Sequence, residues 1–107
     1  MKTKEYFKFA REFAEEMISL SEKKNADYSG DDDNTFGNFE AVEKLGICSV
    51  EIGFLTRMTD KMKRIIGYVN NESLEVNDES IKDTLQDLAN YSILLSAYIL
   101  NKKKIKK

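Results

Sequence analysis

Histidine and proline are both absent from this 107-residue chain, and cysteine occurs once, as Cys48. With no imidazole and a single thiol, a Cys/His zinc site cannot be built and an intrachain disulfide cannot form. Any metal site must therefore be oxygen-only, which points to magnesium, manganese or calcium. The lack of proline, with only five glycines and 34% charged residues, disfavours a sandwich or barrel, whose turns need frequent punctuation, and favours long uninterrupted helices. No run reaches the ~18 to 20 apolar residues of a membrane span, and the opening Met1-Lys-Thr-Lys-Glu-Tyr-Phe7 has no apolar stretch of the signal-peptide kind, so a cytoplasmic location is expected. A net charge of −2 gives no general reason to expect nucleic acid as a partner.

What is present reads as helix. Over about residues 3 to 23, Tyr6, Phe9, Ala10, Phe13, Met17 and Leu20 recur at helical spacing, with Phe7, Ala14 and Ile18 widening the stripe. Residues 25 to 38 are polar and glycine-bearing, a loop by composition and longer than an ordinary connection. Residues 39 to 45 suit a short helix ended by Gly46, and Ser49 suits the N-cap of a helix reaching about residue 69, with Leu55, Met58, Met62, Ile65 and Val69 as its core stripe. Asn70-Asn71 opens a loop, and Asn77 or Asp78 can cap a last helix running to about residue 101. The expectation is an all-α fold, a small bundle of three long helices plus a short one. At this length the chain is one domain, residues 1–101, followed by a basic tail at 102–107, Lys-Lys-Lys-Ile-Lys-Lys. The tail is expected to act as a solubilising end that complements the negative pole of the preceding helix.

In the last helix, Ile81, Leu85, Leu88, Ser92, Leu95 and Ile99 make a seam at 3.5-residue spacing. Residues 91 to 100, Tyr-Ser-Ile-Leu-Leu-Ser-Ala-Tyr-Ile-Leu, are apolar nearly all round. A helix of that kind must be covered on every side. Three or four short-chain helices cannot easily surround it, so a homo-oligomer is expected.

Two charged rows carry the chemistry. Residues three and four apart share a helix face, so Arg57, Asp60, Lys61 and Arg64 line one strip, and Glu79, Asp83, Asp87 and Asn90 line another. Carboxylates so spaced can hold a hard divalent cation, and guanidinium groups can hold the phosphates that travel with it. A nucleotide polyphosphate is the simplest ligand that needs both. The plain alternative is a solvated helix start, where negative charge is favoured by the helix dipole, and a surface ion-pair network on the middle helix. Glu51 lies on the apolar side of that helix and needs a partner or a metal if the stripe is buried.

A resemblance strengthens the ligand reading. Asp27-Tyr28, Asn38-Phe39, Arg57-Met58-Thr59-Asp60-Lys61 with Arg64, and Asp78-Glu79-Ser80-x-x-Asp83-Thr84-Leu85-x-Asp87-Leu88-Ala89-Asn90-Tyr91 resemble the pattern of the nucleotide modification associated domain 1 family of phage and bacterial proteins. More distantly, the chain is similar to all-α NTP pyrophosphatases of the MazG and dimeric dUTPase type, in which carboxylates from two helices hold magnesium inside a helical dimer. The resemblance implies a nucleotide-binding protein, either a magnesium-dependent (or manganese-dependent) pyrophosphohydrolase or a binder that sequesters a nucleotide or nucleotide-derived signal. It implies Glu79, Asp83 and Asp87 as catalytic carboxylates, with Glu51 and Asp60 joining them as metal ligands. Arg57, Lys61 and Arg64 would meet the phosphates. Asp27, Tyr28, Asn38, Phe39, Asn90 and Tyr91 would complete the ligand site, with Tyr28 and Phe36 or Phe39 stacking on a base. The chain departs from the wider group in lacking a clear Glu-Glu-x-x-Glu motif on the middle helix. A helical interaction module, whose charges serve only solubility and docking, is the reading from a different class.

Overall fold

A computed structural model describes residues 1–29, 34–70 and 78–105, with the side chains of 25–29, 78, 79, 104 and 105 outside the description. The elements are α1 (Thr3–Ser29), α2 (Gly37–Lys44), α3 (Val50–Val69) and α4 (Asp78–Ile105), and no strand occurs among the described residues. The all-α expectation of three long helices and a short one is what is observed. None of these helices is long and apolar enough to cross a membrane, among the described residues. The chain divides into two compact units, Met1–Asp33 and Asn34–Lys107.

The first unit is α1. It continues about six residues beyond the end expected from periodicity, taking in Asp27 and Tyr28, which composition had placed in a loop. Asn, Asp and Ser each cost only a few tenths of a kcal/mol in a helix, and the first strong breaker after the apolar stripe is Gly30. Phe9 and Phe13 pack along one face with centroids 5.8 Å apart and ring planes tilted by 37°, an i, i+4 pairing that supports the helix locally.

The second unit is built by α2, α3 and α4. Helix α2 ends at Gly46, whose φ of 75° only glycine adopts without cost. The Gly46 N–H donates to Glu43 O at 3.0 Å and the Ile47 N–H to Val42 O at 2.9 Å, closing a Schellman end. Ser49 then caps α3 as expected, its Oγ accepting the Ile52 N–H at 3.2 Å. A second cap comes from the preceding helix, because Glu43 Oε2 accepts the Val50 N–H at 3.0 Å. That bond ties α2 to the start of α3. Gly53 lets the two helices approach closely, since a Cβ there would meet Val42 Cγ2 at 3.3 Å.

Phe39, Val50 and Phe54 are the buried hydrophobic cluster of this unit, and Phe36, Tyr91, Leu94, Leu95 and Tyr98 pack against it. Phe39 lies flat on Phe54 with centroids 3.8 Å apart and ring planes 10° from parallel, while Tyr91 meets Phe39 edge-on at 6.3 Å. Aromatic side chains bury large areas, and edge contacts such as that of Tyr91 are favoured.

Which faces pack differs from the expectation. On α4 the packed face is Thr84, Tyr91, Leu94, Leu95 and Tyr98, whereas Leu85 and Ile99 of the expected seam are more than a third exposed. A stretch apolar on all sides has no single period, so burial went to the face carrying the tyrosines. On α3 the expected stripe splits in two. Met58 and Ile65 are half-buried, but Leu55, Met62 and Val69 are exposed. Helix α4 also runs through Lys102 and Lys103 to Ile105, past the expected end at residue 101, so the first lysines of the basic tail are helical.

Candidate functional site

Helices α3 and α4 run antiparallel, with Glu51 near the start of one beside Lys102 near the end of the other, and Lys61 beside Asp87 further along. The second of these contacts joins the two charged rows. Lys61 Nζ lies 3.2 Å from Asp87 Oδ2, with the side chains 17% and 36% exposed. The pair is thus more sheltered than the open Arg64–Asp60 pair, whose side chains are 59% and 61% exposed. The cationic row of α3 and the acidic row of α4 therefore meet at this pair.

Around this pair the other residues expected at a site fall at differing depths. Arg57, one turn before Lys61, is exposed and holds its guanidinium carbon 5.5 Å from the centroid of the Phe39 ring, a cation–π contact. Arg64, one turn after Lys61, pairs with Asp60 on its own helix at 3.5 Å, both side chains being largely exposed. Asp83 is exposed one turn before Asp87, and Asn90 and Tyr91 are half-buried in the next turn. Asn38 is exposed on α2, and its neighbour Phe39 belongs to the aromatic core. Phe36 is also committed to packing, edge-on to Tyr98 at 5.4 Å. The side chains of Glu79, Asp27 and Tyr28 lie outside the described residues.

Glu51 is set apart from this group. Its Oε2 accepts from Lys102 Nζ at 3.3 Å, and Lys102 is fifteen residues along α4 from Asp87, about 22 Å at helical rise. The buried-side charge flagged in the sequence thus has a cationic partner at the far end of the α3–α4 contact. Tyr98 completes that end, with Lys102 Nζ 5.9 Å from its ring centroid. Burial pushes the Tyr98 hydroxyl above its ordinary pKa, and the negative charge of Glu51 adds to the effect. The hydrogen bond to Glu51, reinforced by its charge, raises the Lys102 ammonium likewise.

Among the described residues, no three His, Cys, Asp or Glu side chains come together to hold a metal ion. Asp83 and Asp87 remain as neighbouring carboxylates one turn apart, with Asp87 already neutralised by Lys61. Two carboxylates with water and phosphate oxygens can complete the octahedral shell of magnesium, which keeps several waters and commonly arrives with a polyphosphate.

Sequence reasoning singled out Lys61 and Asp87 separately but not their contact; it passed over Phe54 and read Lys102 only as the start of a basic tail. The signal was Thr84, Asp87, Tyr91, Leu94 and Tyr98 at alternating intervals of three and four residues, a second seam beside the one that was read. No protein-family model, curated protein or solved structure matches this chain.

Proposed function

We propose that the protein binds a nucleotide or related phosphate-bearing small molecule where the α3 and α4 charged rows meet, as a cytoplasmic homo-oligomer. The observation that carries this reading is the Lys61–Asp87 contact at 3.2 Å between two helices, because it sets one cation of the α3 row against one carboxylate of the α4 row. Arg57 and Arg64 flank Lys61 by one turn on either side, so phosphates would be met by charge-assisted hydrogen bonds from all three. A magnesium ion carried by the ligand would find Asp83 and Asp87, and Asn90 offers an amide for the edge of a base. The sequence resemblance to the nucleotide modification associated domain 1 family supports the same ligand class.

Turnover is a separate question from binding. With no histidine in the chain, a carboxylate would have to take the proton from an attacking water, and the cationic row would neutralise the departing pyrophosphate. Magnesium, when bound, would supply polarisation of the phosphoryl oxygens. Isothermal titration of nucleoside triphosphates with and without magnesium, followed by chromatography of the recovered ligand, tests both points. Micromolar binding with nucleoside monophosphate and pyrophosphate as products marks a pyrophosphohydrolase, and unaltered nucleotide marks a binder. Absence of heat with every nucleotide, in either condition, overturns the proposal.

A further inference from the structure

The cations of the α3 row are not equally available to an incoming anion. Arg57 is exposed. Arg64 pairs with Asp60 on its own helix, and both side chains are open to solvent, so water and salt screen that pair and its loss costs little. Lys61 differs on both counts. It is the more sheltered cation, and the carboxylate that meets it at 3.2 Å, Asp87 Oδ2, comes from another helix. A phosphate oxygen and a carboxylate oxygen ask the same of an ammonium group, a short charge-assisted hydrogen bond. Asp87 therefore already occupies the place at Lys61 that a phosphate would take.

The packing of α3 on α4 makes this occupant persistent. Phe54 of α3 is fully buried, and Tyr91, Leu94, Leu95 and Tyr98 of α4 pack on the cluster to which it belongs. Asp87 lies one turn before Tyr91, so apolar packing holds its backbone beside α3. A competitor tethered in this way has an effective concentration set by the fold and not by the solution. The neighbouring charges act in opposite senses. Arg57 and Arg64, one turn away on α3, attract an anion, while Asp60, next to Lys61 in the chain, and Asp83, exposed one turn before Asp87, repel it.

From this placement we infer that Asp87 is an autoinhibitory anion, which holds Lys61 in the ligand-free protein and must be displaced before that lysine can bind phosphate. The inference rests on the phosphate-binding reading above and adds to it a competition that every anion meets. The exposed Arg57 and Arg64 make the first contact, and exchange of Asp87 for phosphate at Lys61 completes it.

Titration calorimetry with inorganic pyrophosphate, in the presence of a chelator, tests this without any metal. Asp87→Asn should bind pyrophosphate about three- to tenfold more tightly than the wild type, the range expected of a partly sheltered ion pair. Loss of one negative charge by itself also favours an anion, so Asp83→Asn, which removes the same charge one turn away, should gain clearly less. In a Lys61→Met background, Asp87→Asn should gain no more than Asp83→Asn does, which closes a double-mutant cycle on the pair. Carbon-13 spectra of the wild-type carboxyl groups decide the matter even where Asp87→Asn does not fold, since the Asp87 signal should move on saturation with pyrophosphate by more than that of Asp83. Equal gains in Asp87→Asn and Asp83→Asn, a gain that survives Lys61→Met, or an Asp87 signal unmoved at saturation overturns the autoinhibition and leaves phosphate binding standing. No heat from pyrophosphate in the wild type or in any variant overturns phosphate binding itself.

Discussion

Arg57 is an exposed cation of the proposed site, with its guanidinium carbon 5.5 Å from the centroid of the Phe39 ring. Hydrogen bonds to charged groups contribute about 1.5–3 kcal/mol, so Arg57→Ala should weaken nucleotide affinity about ten- to a hundredfold, read by titration calorimetry on a protein whose melting curve is otherwise kept. Unchanged affinity would remove Arg57 from the site. A second prediction concerns the Glu51–Lys102–Tyr98 end. Both Tyr98 and Lys102 have folded pKa values raised above their ordinary values of 10.0 and 10.5. The unfolded chain therefore loses these protons first as pH rises, and the stability they contribute is complete below pH 10 and is lost progressively above it. Urea unfolding midpoints should fall from about pH 10 upward, and the fall should be shallower in Glu51→Gln, where both shifts lose a cause. A midpoint equally pH-dependent in that variant would refute the coupling. At this scale the sequence was most readable where the physics is local: Gly46 and Ser49 act on their own neighbours in the chain. Glu43 capping Val50 was not readable, because it depends on how α2 folds back onto α3.

The elements themselves were legible as helices because their apolar residues recur with one period over many turns. Their rotation was not. Both α3 and α4 carry two apolar stripes, and a periodicity argument cannot say which one a neighbour will cover. The structure gives the inner positions to Phe54 of α3 and to Tyr91 and Tyr98 of α4, with Phe54 fully buried. Phe54 is stacked on Phe39 and also 6.4 Å from Tyr98, so its removal should leave a cavity bordered by all three helices of the second unit. Phe→Ala changes at such sites cost about 3–5 kcal/mol, a large part of the stability of a small unit. Phe54→Ala should lower the melting temperature steeply or abolish the cooperative transition, whereas Ile66→Ala on the exposed stripe should leave the monomer's own packing intact. Comparable losses of helical signal in the two would contradict the assignment of faces. Leu94 illustrates the same point. Composition suggested it at an interface between copies, but it packs against the Phe39–Val50–Phe54 cluster, so Leu94→Asp should unfold the unit and not simply dissociate an assembly.

At the scale of the whole molecule, the charged rows were visible in the sequence, but their meeting was not, since the register of one helix against another belongs to neither helix's own pattern. That meeting alters what a metal should do. An acidic row facing water or a sheltered cavity would be relieved by magnesium alone, but Asp87 already has Lys61 at 3.2 Å, which leaves Asp83 as the exposed carboxylate of the pair. Magnesium by itself should therefore change stability little. A nucleotide would draw Lys61 toward its phosphates and leave Asp87 free to share the metal with Asp83, so nucleotide and magnesium together should stabilise by more than the two added separately. A ligand at a hundredfold its Kd stabilises the native state by about 2.7 kcal/mol. For a domain near this size, that corresponds to a rise in Tm of roughly 10 °C or more. Thermal unfolding with nucleotide, with magnesium and with both should show this excess in the wild type. Asp83→Asn should keep the gain from nucleotide alone and lose the magnesium-dependent excess, while Arg57→Ala should lose much of both. If the excess persists in Asp83→Asn and in Asp87→Asn, the α4 acids are a solvated helix start that only pairs with Lys61, and the metal half of the proposed site falls while phosphate binding on α3 still stands.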